Sequence, residues 1–174
     1  MERAVFLDRD GVLNRSNLRN GRPCAPTSLE EFELLPGVTQ AVGRLREAGF
    51  RLIVVSNQPD IATGKLSREI LERMHERLRS WLPVDAIKVC CHVDENECAC
   101  RKPKPGMLLE AAREWSIDLS RSFMVGDRWR DVSAGKAAGC RAIFVDYGYA
   151  ETQVDQPDFV VASLLEAADI ILEP

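Results

Sequence analysis

The chain alternates between short apolar runs and longer stretches in which apolar residues recur at helical spacing. The apolar runs predict strands at residues 4–7, 51–55, 86–91, 123–125, 141–146 and 158–161. Helical spacing predicts helices at residues 38–48, 68–82, 108–115, 131–138 and 163–172. Strands that alternate with helices predict an α/β fold with a doubly wound parallel sheet and right-handed crossovers.

Two segments fit neither pattern. Residues 14–36 contain Asn20-Gly21 and three prolines, which predict an irregular loop or flap over one edge of the sheet. Residues 90–100 read CCHVDENECAC and contain few apolar side chains apart from the cysteines. With so little apolar surface to bury, this segment needs something other than hydrophobic packing to hold it in one conformation.

Length and charge narrow the class of protein. At 174 residues the chain is expected to form a single domain, residues 1–174, and to be a monomer. It contains no apolar run of about 18 residues, so no membrane span is predicted. The N-terminus lacks the apolar region of a signal peptide, which makes the cytoplasm the expected location. The net charge of −4 argues against general nucleic-acid binding, which usually shows a basic face.

Asp8 and Asp10 directly follow the first predicted strand, in the sequence AVFLDRDG. In extended backbone, residues two apart point to the same side, so both carboxylates are expected to converge at the carboxyl end of this strand. Two carboxylates so close repel each other unless a cation lies nearby. Mg²⁺ is a cation that carboxylate and carbonyl oxygens bind well. The alternative for such a short motif is a solvated, Asp-rich turn.

Three further polar clusters stand beside predicted strands or helices. They are Ser56 and Asn57 after the second strand, Arg101 and Lys102 before a helix, and Asp127 with Asp131 after the strand at 123–125. All can meet at the carboxyl edge of one parallel sheet, where open α/β sheets bind ligands. The order of these motifs along the chain resembles that of the haloacid dehalogenase (HAD) superfamily of phosphohydrolases. The resemblance covers nearly the whole chain and implies a HAD-like Rossmannoid fold.

The resemblance, together with the charge that phosphoryl transfer must neutralise, implies a role for each catalytic residue. Asp8 would attack the phosphorus atom and form an aspartyl-phosphate. Asp10 would protonate the leaving oxygen and later activate water. Ser56 would donate a hydrogen bond to the phosphoryl oxygens, and Lys102 would supply positive charge there.

Metal and substrate contacts are assigned on the same basis. Mg²⁺ would be held by the Asp8 carboxylate, the Asp10 backbone carbonyl and Asp127. The backbone N–H of Asn57 would join Ser56 on the phosphoryl group, and Arg101 and Arg128 are candidates for further substrate contacts. Asp131 would orient Lys102 or a metal-bound water; alternatively, it is only a favourable charge in the first turn of a helix.

The cysteine-rich segment has the spacing of a metal site. Cys90, His92, Cys98 and Cys100 form a C-x-H-x5-C-x-C pattern, a ligand set that predicts a closed, structural Zn²⁺ site. The alternatives are reduced surface thiols or a disulfide such as Cys90 to Cys98, which a cytosolic chain disfavours. Cys91 is expected to face the core. The other histidine, His75, stands among charged residues of a predicted helix and is expected to be solvated.

The same segment, running into CRKPKPGM, resembles the D,D-heptose 1,7-bisphosphate phosphatases and the related histidinol-phosphate phosphatases. The residues GM at 106–107 and VLN at 12–14 are closer to the heptose-bisphosphate group. That group implies Mg²⁺-dependent removal of the 7-phosphate from a small phosphorylated sugar. Pro59-Asp60 and the Asn17–Pro26 flap depart from the commonest pattern of the group. No segment is long enough for the cap domain that many HAD proteins insert, so a capless member is expected.

Other functions use parts of this pattern. A phosphoryl-transfer receiver would need an acidic pocket and a lysine, but neither a second aspartate as acid and base nor a zinc loop. A zinc-stabilised interaction module would need the cysteines, but not Asp8, Asp10, Lys102 and Asp127 together. Within the phosphatases, histidinol phosphate and a nucleic-acid 3′-phosphate are the competing substrates.

Overall fold

The computed structural model describes residues 1–173, and it contains eight strands and five α-helices. In chain order they are β1 (Ala4–Leu7), β2 (Asn17–Arg19), β3 (Arg22–Cys24), α1 (Val38–Glu47), β4 (Arg51–Asn57), α2 (Arg68–Trp81), β5 (Ala86–Cys90), α3 (Gly106–Trp115), β6 (Phe123–Gly126), α4 (Trp129–Ala138), β7 (Arg141–Val145), β8 (Phe159–Val161) and α5 (Leu164–Leu172). Among residues 1–173, no helix combines the length and the apolar character needed to cross a membrane.

Six of the strands form one parallel sheet in the order β5-β4-β1-β6-β7-β8, which confirms the predicted α/β fold. The first strand lies at the centre, where Leu7 is in register with Val54 on one side and Val125 on the other. The backbone N–H of Asp8 donates to the carbonyl of Val125 at 2.9 Å, so this residue still belongs to the sheet. The register therefore brings the ends of β1, β4 and β6 side by side at one edge.

Alternate residues of the central strand pack on opposite faces of the sheet. Val5 and Leu7 belong to the core that includes apolar residues of α1, α2 and α5. Ala4 and Phe6 belong to the core that includes residues of α3 and α4. Because both faces are covered by helices, β1 is apolar throughout and fully buried. The two cores fix the position of the strand whose end carries the Asp8 motif.

The segment between β1 and α1 is more regular than its turn residues predict. β2 and β3 pair as an antiparallel hairpin in which Leu18 lies opposite Pro23. The two connecting residues, Asn20 and Gly21, both have positive φ angles, 52° and 72°. An Asn-Gly pair with positive φ at both positions is typical of a type I′ hairpin turn. The prediction of an irregular loop was therefore wrong for residues 17–24.

His75 is buried, which contradicts the prediction of a solvated side chain. It lies on the core-facing side of α2 together with Leu71, Met74 and Leu78. These four positions follow the i, i+3, i+4, i+7 spacing of a buried helical face. Burial, followed by the nearby positive charges of Arg9 and Arg79, lowers the pKa of His75 to about 4, so the imidazole is neutral at pH 7.

Candidate active site

A cavity of about 260 Å³ opens at the carboxyl edge of the sheet. Its lining includes charged and polar side chains from four separate segments of the chain. They are Asp8, Asp10, Ser16, Asn57, Asp60, Arg101, Lys102, Asp127, Arg128, Arg130 and Asp131, with Pro23, Cys24, Ala25 and Pro59 completing the wall. Parallel sheets of this kind bind ligands at this edge.

The turn after β1 places two aspartates at the cavity. The backbone N–H groups of Leu13 and Asn14 both donate to the carbonyl of Arg9, at 2.9 and 3.1 Å, and so close the turn tightly. Gly11, within this turn, has a φ angle of 88°, and a Cβ there would lie 2.1 Å from Oδ2 of Asp127. Only glycine meets both demands, the left-handed backbone and the close approach.

Lys102 is a buried cation between two carboxylates. Its Nζ donates to Oδ1 of Asp8 at 2.8 Å, to Oδ1 of Asp131 at 2.6 Å and to the carbonyl of Val55 at 2.8 Å. All three ammonium hydrogens are therefore used. Burial alone would lower the pKa of Lys102, but attraction to Asp131 and Asp8 raises it above the ordinary value. The lysine is a fixed positive charge at neutral pH.

Asp127 has no hydrogen-bond partner for either carboxylate oxygen among residues 1–173, although its side chain is buried. Burial, with repulsion from Asp8 and Asp131, raises its pKa well above the ordinary value. Ligand atoms of Asp8, Asp127 and Asp131 all lie within 4.8 Å of one another. Such a cluster of buried carboxylates suits a hard divalent cation that takes oxygen ligands.

The pKa of Asp8 is raised for the same reasons as that of Asp127. Burial, together with repulsion from Asp131 and Asp10, raises the pKa of Asp8 to about 7 despite the opposing attraction of Lys102. A divalent cation bound beside Asp8 would offset this repulsion and favour the ionised carboxylate.

Asp131 serves both of the roles considered for it. Its Oδ1 accepts the hydrogen bond from Lys102, and its Oδ2 accepts one from the backbone N–H of Arg128 at 3.0 Å. The second bond satisfies a free donor at the start of α4, where a negative charge is also favourable. Asp131 therefore anchors Lys102 from the first turn of a helix.

The end of β4 contributes Ser56 and Asn57 from inside the strand, which extends two residues beyond its predicted end. Oγ of Ser56 accepts a hydrogen bond from Nε2 of Gln58 at 2.8 Å. The side chain of Asn57 pairs with the backbone of Lys102 in both directions, at 3.0 and 3.1 Å. Asn57 thus links β4 to the segment that carries Lys102.

Three arginines stand around the mouth of the cavity. Arg101 and Arg130 both donate to the carboxylate of Asp94, at 2.7 and 3.0 Å, and these bonds hold the pKa of Asp94 below its usual value. Arg128 forms an ion pair with Glu151. All three arginines belong to the lining of the cavity that also contains the buried carboxylates.

Cys90, His92, Cys98 and Cys100 come together beside the cavity, as their spacing predicts. The Sγ atoms of Cys90 and Cys98 are 3.6 Å apart and those of Cys98 and Cys100 are 3.5 Å apart, while those of Cys90 and Cys100 lie closer, at 2.9 Å. Nδ1 of His92 lies 3.5 Å from Cys100 Sγ. A tetrahedral zinc site with bonds of about 2.3 Å has sulfur atoms roughly 3.8 Å apart. All six cysteines are free, so the alternative disulfide between Cys90 and Cys98 is absent from the structure.

Several polar residues of the site were missed from the sequence. Arg9, Asn14 and Gln58 are buried and bond directly to Asp10, and Arg130 joins Arg101 on Asp94. Arg9 and Gln58 stand within two residues of predicted site residues, and Asn14 lies in the turn that follows β1. Nothing in the sequence around these three residues distinguishes them from solvated side chains. Arg130 has a clearer signal, since it follows Asp127 and Arg128 at the start of a helix.

The parallel sheet, the paired aspartates at the end of its central strand and the buried lysine define an enzyme of the HAD phosphatase class. Comparisons with known proteins give the same class. A family model described as HAD-hydrolase-like matches residues 99–167. A D-glycero-D-manno-heptose-1,7-bisphosphate 7-phosphatase from Thermosynechococcus vestitus is 36% identical, over 97% of this chain and 94% of that protein.

A second relative, from Pasteurella multocida and named D-glycero-beta-D-manno-heptose-1,7-bisphosphate 7-phosphatase, is 34% identical over 98% of this chain and 97% of its own. Among solved structures, the D,D-heptose 1,7-bisphosphate phosphatase from B. bronchiseptica, complexed with magnesium and phosphate, superposes with a TM-score of 0.87. It is 33% identical, and the match covers 98% of each chain. The chain belongs to the family of heptose 1,7-bisphosphate phosphatases within the HAD-like hydrolases.

Proposed function

We propose that this protein is a magnesium-dependent phosphatase that removes the 7-phosphate of D-glycero-D-manno-heptose 1,7-bisphosphate. The observation that carries the proposal is a single cavity with two kinds of charge. Asp8, Lys102 and Asp127 form a set suited to phosphoryl transfer, and Arg101 and Arg128 belong to the same lining. The first set can act on one phosphate while the two arginines hold another.

Asp8 is the proposed nucleophile. Its carboxylate oxygen would form a bond to phosphorus as the bond from phosphorus to the sugar oxygen breaks, which leaves an aspartyl-phosphate. Lys102, Ser56 and the backbone N–H of Asn57 would stabilise the charge on the phosphoryl oxygens. Lys102 is well suited to this work because its Nζ is held in place before substrate arrives.

Asp10 is the proposed acid and base. Protonated, it would deliver its proton to the sugar oxygen that leaves. Ionised, it would take a proton from the water that then attacks phosphorus and frees Asp8. One carboxyl group can serve both steps because each step returns it to the state that the other requires.

The buried carboxylates fit a bound Mg²⁺. The carboxylates of Asp8 and Asp127 and the backbone carbonyl of Asp10 would hold it, and the oxygens of Asp127 that lack a hydrogen-bond partner would serve as ligands. When bound, the ion would neutralise negative charge on the phosphoryl group and on Asp8. The relative crystallised with magnesium and phosphate supports this assignment.

A panel of phosphate esters tests the proposed substrate. Phosphate release is measured from heptose 1,7-bisphosphate, histidinol phosphate and a 3′-phosphorylated oligonucleotide, with Mg²⁺ present. We expect the highest kcat/KM for the heptose bisphosphate, with the phosphate at C7 removed and the one at C1 kept. A higher kcat/KM for histidinol phosphate or the oligonucleotide would overturn the proposed substrate.

Arg101 is proposed to hold the phosphate that is not transferred. For Arg101→Ala, kcat/KM with the heptose bisphosphate should fall by about ten- to a hundredfold, the value of one hydrogen bond to a charged group. With p-nitrophenyl phosphate, which has no second phosphate, it should change by less than about threefold. Arg113→Ala, an exposed arginine on α3, is the control and should change neither rate. Equal losses on both substrates would instead place Arg101 on the transferred phosphoryl group.

The cysteine cluster is proposed to bind one structural Zn²⁺ through Cys90, His92, Cys98 and Cys100. Burial raises the pKa of Cys98, but hydrogen bonds from the backbone N–H of Arg101 and from cluster side chains together outweigh it and lower this pKa to about 6, which favours the thiolate that zinc binds. Zinc would order a loop whose Asp94 binds Arg101. The loop would thus position a substrate contact without touching the transferred phosphate.

Elemental analysis of protein purified without added metal should find one zinc per chain. Cys98→Ala should lose most of that zinc and lower Tm, because the loop loses the ion that orders it. Cys24→Ser is the matched control. Because Cys24 lies outside the cluster, this variant should keep the zinc of the wild-type protein. Zinc-free wild-type protein in which all the thiols react with a thiol reagent would contradict the site.

We also propose that residues 1–174 act as one domain and one monomer in the cytoplasm. One observation supports the single domain: the two cores lie on opposite faces of one sheet, so neither half has a core of its own.

A further inference from the structure

Arg9 is a buried cation that the proposed reaction does not use. Its side chain is 0% exposed, and it stands between Asp8 and Asp10 in the sequence. A buried arginine is costly unless its N–H groups and its charge find partners. The partners of Arg9 therefore indicate its purpose.

One edge of the Arg9 guanidinium faces Asp10. Nε and one terminal nitrogen donate to the same oxygen, Oδ1, at 3.1 and 2.9 Å. The other terminal nitrogen lies 3.2 Å from Nε2 of His75 and 3.9 Å from the sulfur of Met74. The Cζ atom of the guanidinium lies over the Phe32 ring, 5.2 Å from its centre. Arg9 is thus clamped by α2 and Phe32 so that its fork points at Asp10.

His75 completes the clamp as a neutral acceptor. Arg9 has only donors, so the close approach of its nitrogen to Nε2 requires that Nε2 carry no proton. The imidazole proton then lies on Nδ1. Burial of His75 on the core face of α2 fits a neutral ring.

The two oxygens of Asp10 consequently differ. Oδ1 accepts three N–H groups, two from Arg9 and one from Asn14 at 2.9 Å. Oδ2 accepts one, from Nε2 of Gln58 at 2.7 Å. An oxygen surrounded by three donors has no lone pair left for a proton or for substrate. Oδ2 is the oxygen with free capacity.

We propose that Arg9 is a positioning residue that fixes Oδ1 of Asp10 and so makes Oδ2 the oxygen that transfers protons. The inference rests on the proposed role of Asp10 as acid and base. In the first step, the proton passes from Oδ2 to the ester oxygen as its bond to phosphorus breaks and the bond from phosphorus to Asp8 forms. In the second, Oδ2 takes a proton from water as the water oxygen bonds to phosphorus and the bond from phosphorus to Asp8 breaks.

Leaving groups that differ in their need for a proton test this role. Nitrophenolate leaves without protonation, whereas the alkoxide of an alkyl phosphate or a sugar phosphate does not. We measure kcat/KM for p-nitrophenyl phosphate and for the heptose bisphosphate. This parameter reports on the steps up to the departure of the first product. For Arg9→Met we expect a loss of about a hundredfold on the heptose bisphosphate and less than about fivefold on p-nitrophenyl phosphate.

Two further variants keep the test decisive. Arg9→Lys retains the charge, but a lysine cannot donate twice to Oδ1 while it contacts His75. Its kcat/KM should therefore still fall about tenfold on the sugar ester alone. This variant provides the test if Arg9→Met does not fold. Arg51→Met is the control, because Arg51 is also an arginine paired with carboxylates, those of Glu2 and Asp85, but at the opposite end of the sheet. It should lower Tm without changing the ratio of the two kcat/KM values.

The outcomes separate this inference from the proposed function. Equal losses on both esters, or no loss in Arg9→Lys, would overturn the positioning role while leaving the phosphatase intact. Failure of the wild-type protein to hydrolyse any of the esters would reject the proposed function instead. A selective loss on the sugar ester, with normal circular dichroism, supports Arg9 as the residue that orients Asp10.

Discussion

Asp8→Asn is expected to abolish phosphate release, with kcat/KM reduced on the order of 10⁴-fold or more. The substitution removes the attacking carboxylate and a ligand for the proposed Mg²⁺, but it changes the volume of the side chain very little. Lys102 keeps Asp131 and the carbonyl of Val55 as partners. The loss should therefore be one of chemistry, measured with both p-nitrophenyl phosphate and the heptose bisphosphate.

The same variant should fold at least as stably as the wild type without metal. Because burial raises the pKa of Asp8 to about 7, ionising it costs folding free energy, and this cost grows as pH rises from about 4 to about 7. Asparagine carries no charge and avoids that cost. Tm with EDTA at pH 8 should be equal or higher. Asp155→Asn, at an exposed aspartate that does not line the cavity, is the control and should keep wild-type activity. Retention of more than a few per cent of wild-type activity in Asp8→Asn would contradict the nucleophile assignment.

Lys102→Met is expected to impair both stability and activity. It removes the one ammonium that lies between Asp8 and Asp131 and leaves their carboxylates buried without it. Breaking a buried ion pair in this way costs roughly 3–5 kcal/mol, which for a chain of this length lowers Tm by on the order of 10 °C. Loss of the fixed positive charge should reduce kcat by about 10²–10³-fold or more.

Lys88→Met is the matched control for Lys102→Met. Lys88 also bonds two carboxylates, those of Glu110 and Glu114, but on the surface of the protein. Solvent screens such a pair, so its removal should cost at most about 1 kcal/mol and leave activity unchanged. Similar losses in both variants would show that Lys102 contributes no more than a surface lysine.

The positions of Asp8, Ser56 and Asp127 were predictable from the places where the apolar runs end. Each residue follows an apolar run, and parallel strands end together at one edge. The helices α2 and α5 were predictable as well, and Ser67 and Ser163 accept hydrogen bonds at their starts, as serine commonly does at helix N-termini.

Other features depended on contacts that periodicity does not encode. The β2–β3 hairpin carried a signal, Asn20-Gly21, but its strands are short and one contains Pro23. The burial of His75 could have been predicted from its helical spacing from Leu71 and Leu78, but its charged neighbours in the sequence obscured this pattern. Arg9 carried no signal, because its burial depends on a clamp formed by residues far away in the sequence.

The most direct test of the central claim, attack by Asp8 on phosphorus, uses Asp10→Asn mixed with p-nitrophenyl phosphate in a rapid-quench experiment. Nitrophenolate needs no acid to leave, so Asp8 should still be phosphorylated, whereas the step that frees it lacks its base. We predict a burst of one nitrophenolate per active site, with the added phosphoryl group found by mass spectrometry on Asp8. Steady release of nitrophenolate without a phosphorylated enzyme, or a phosphoryl group on another residue, would contradict the account.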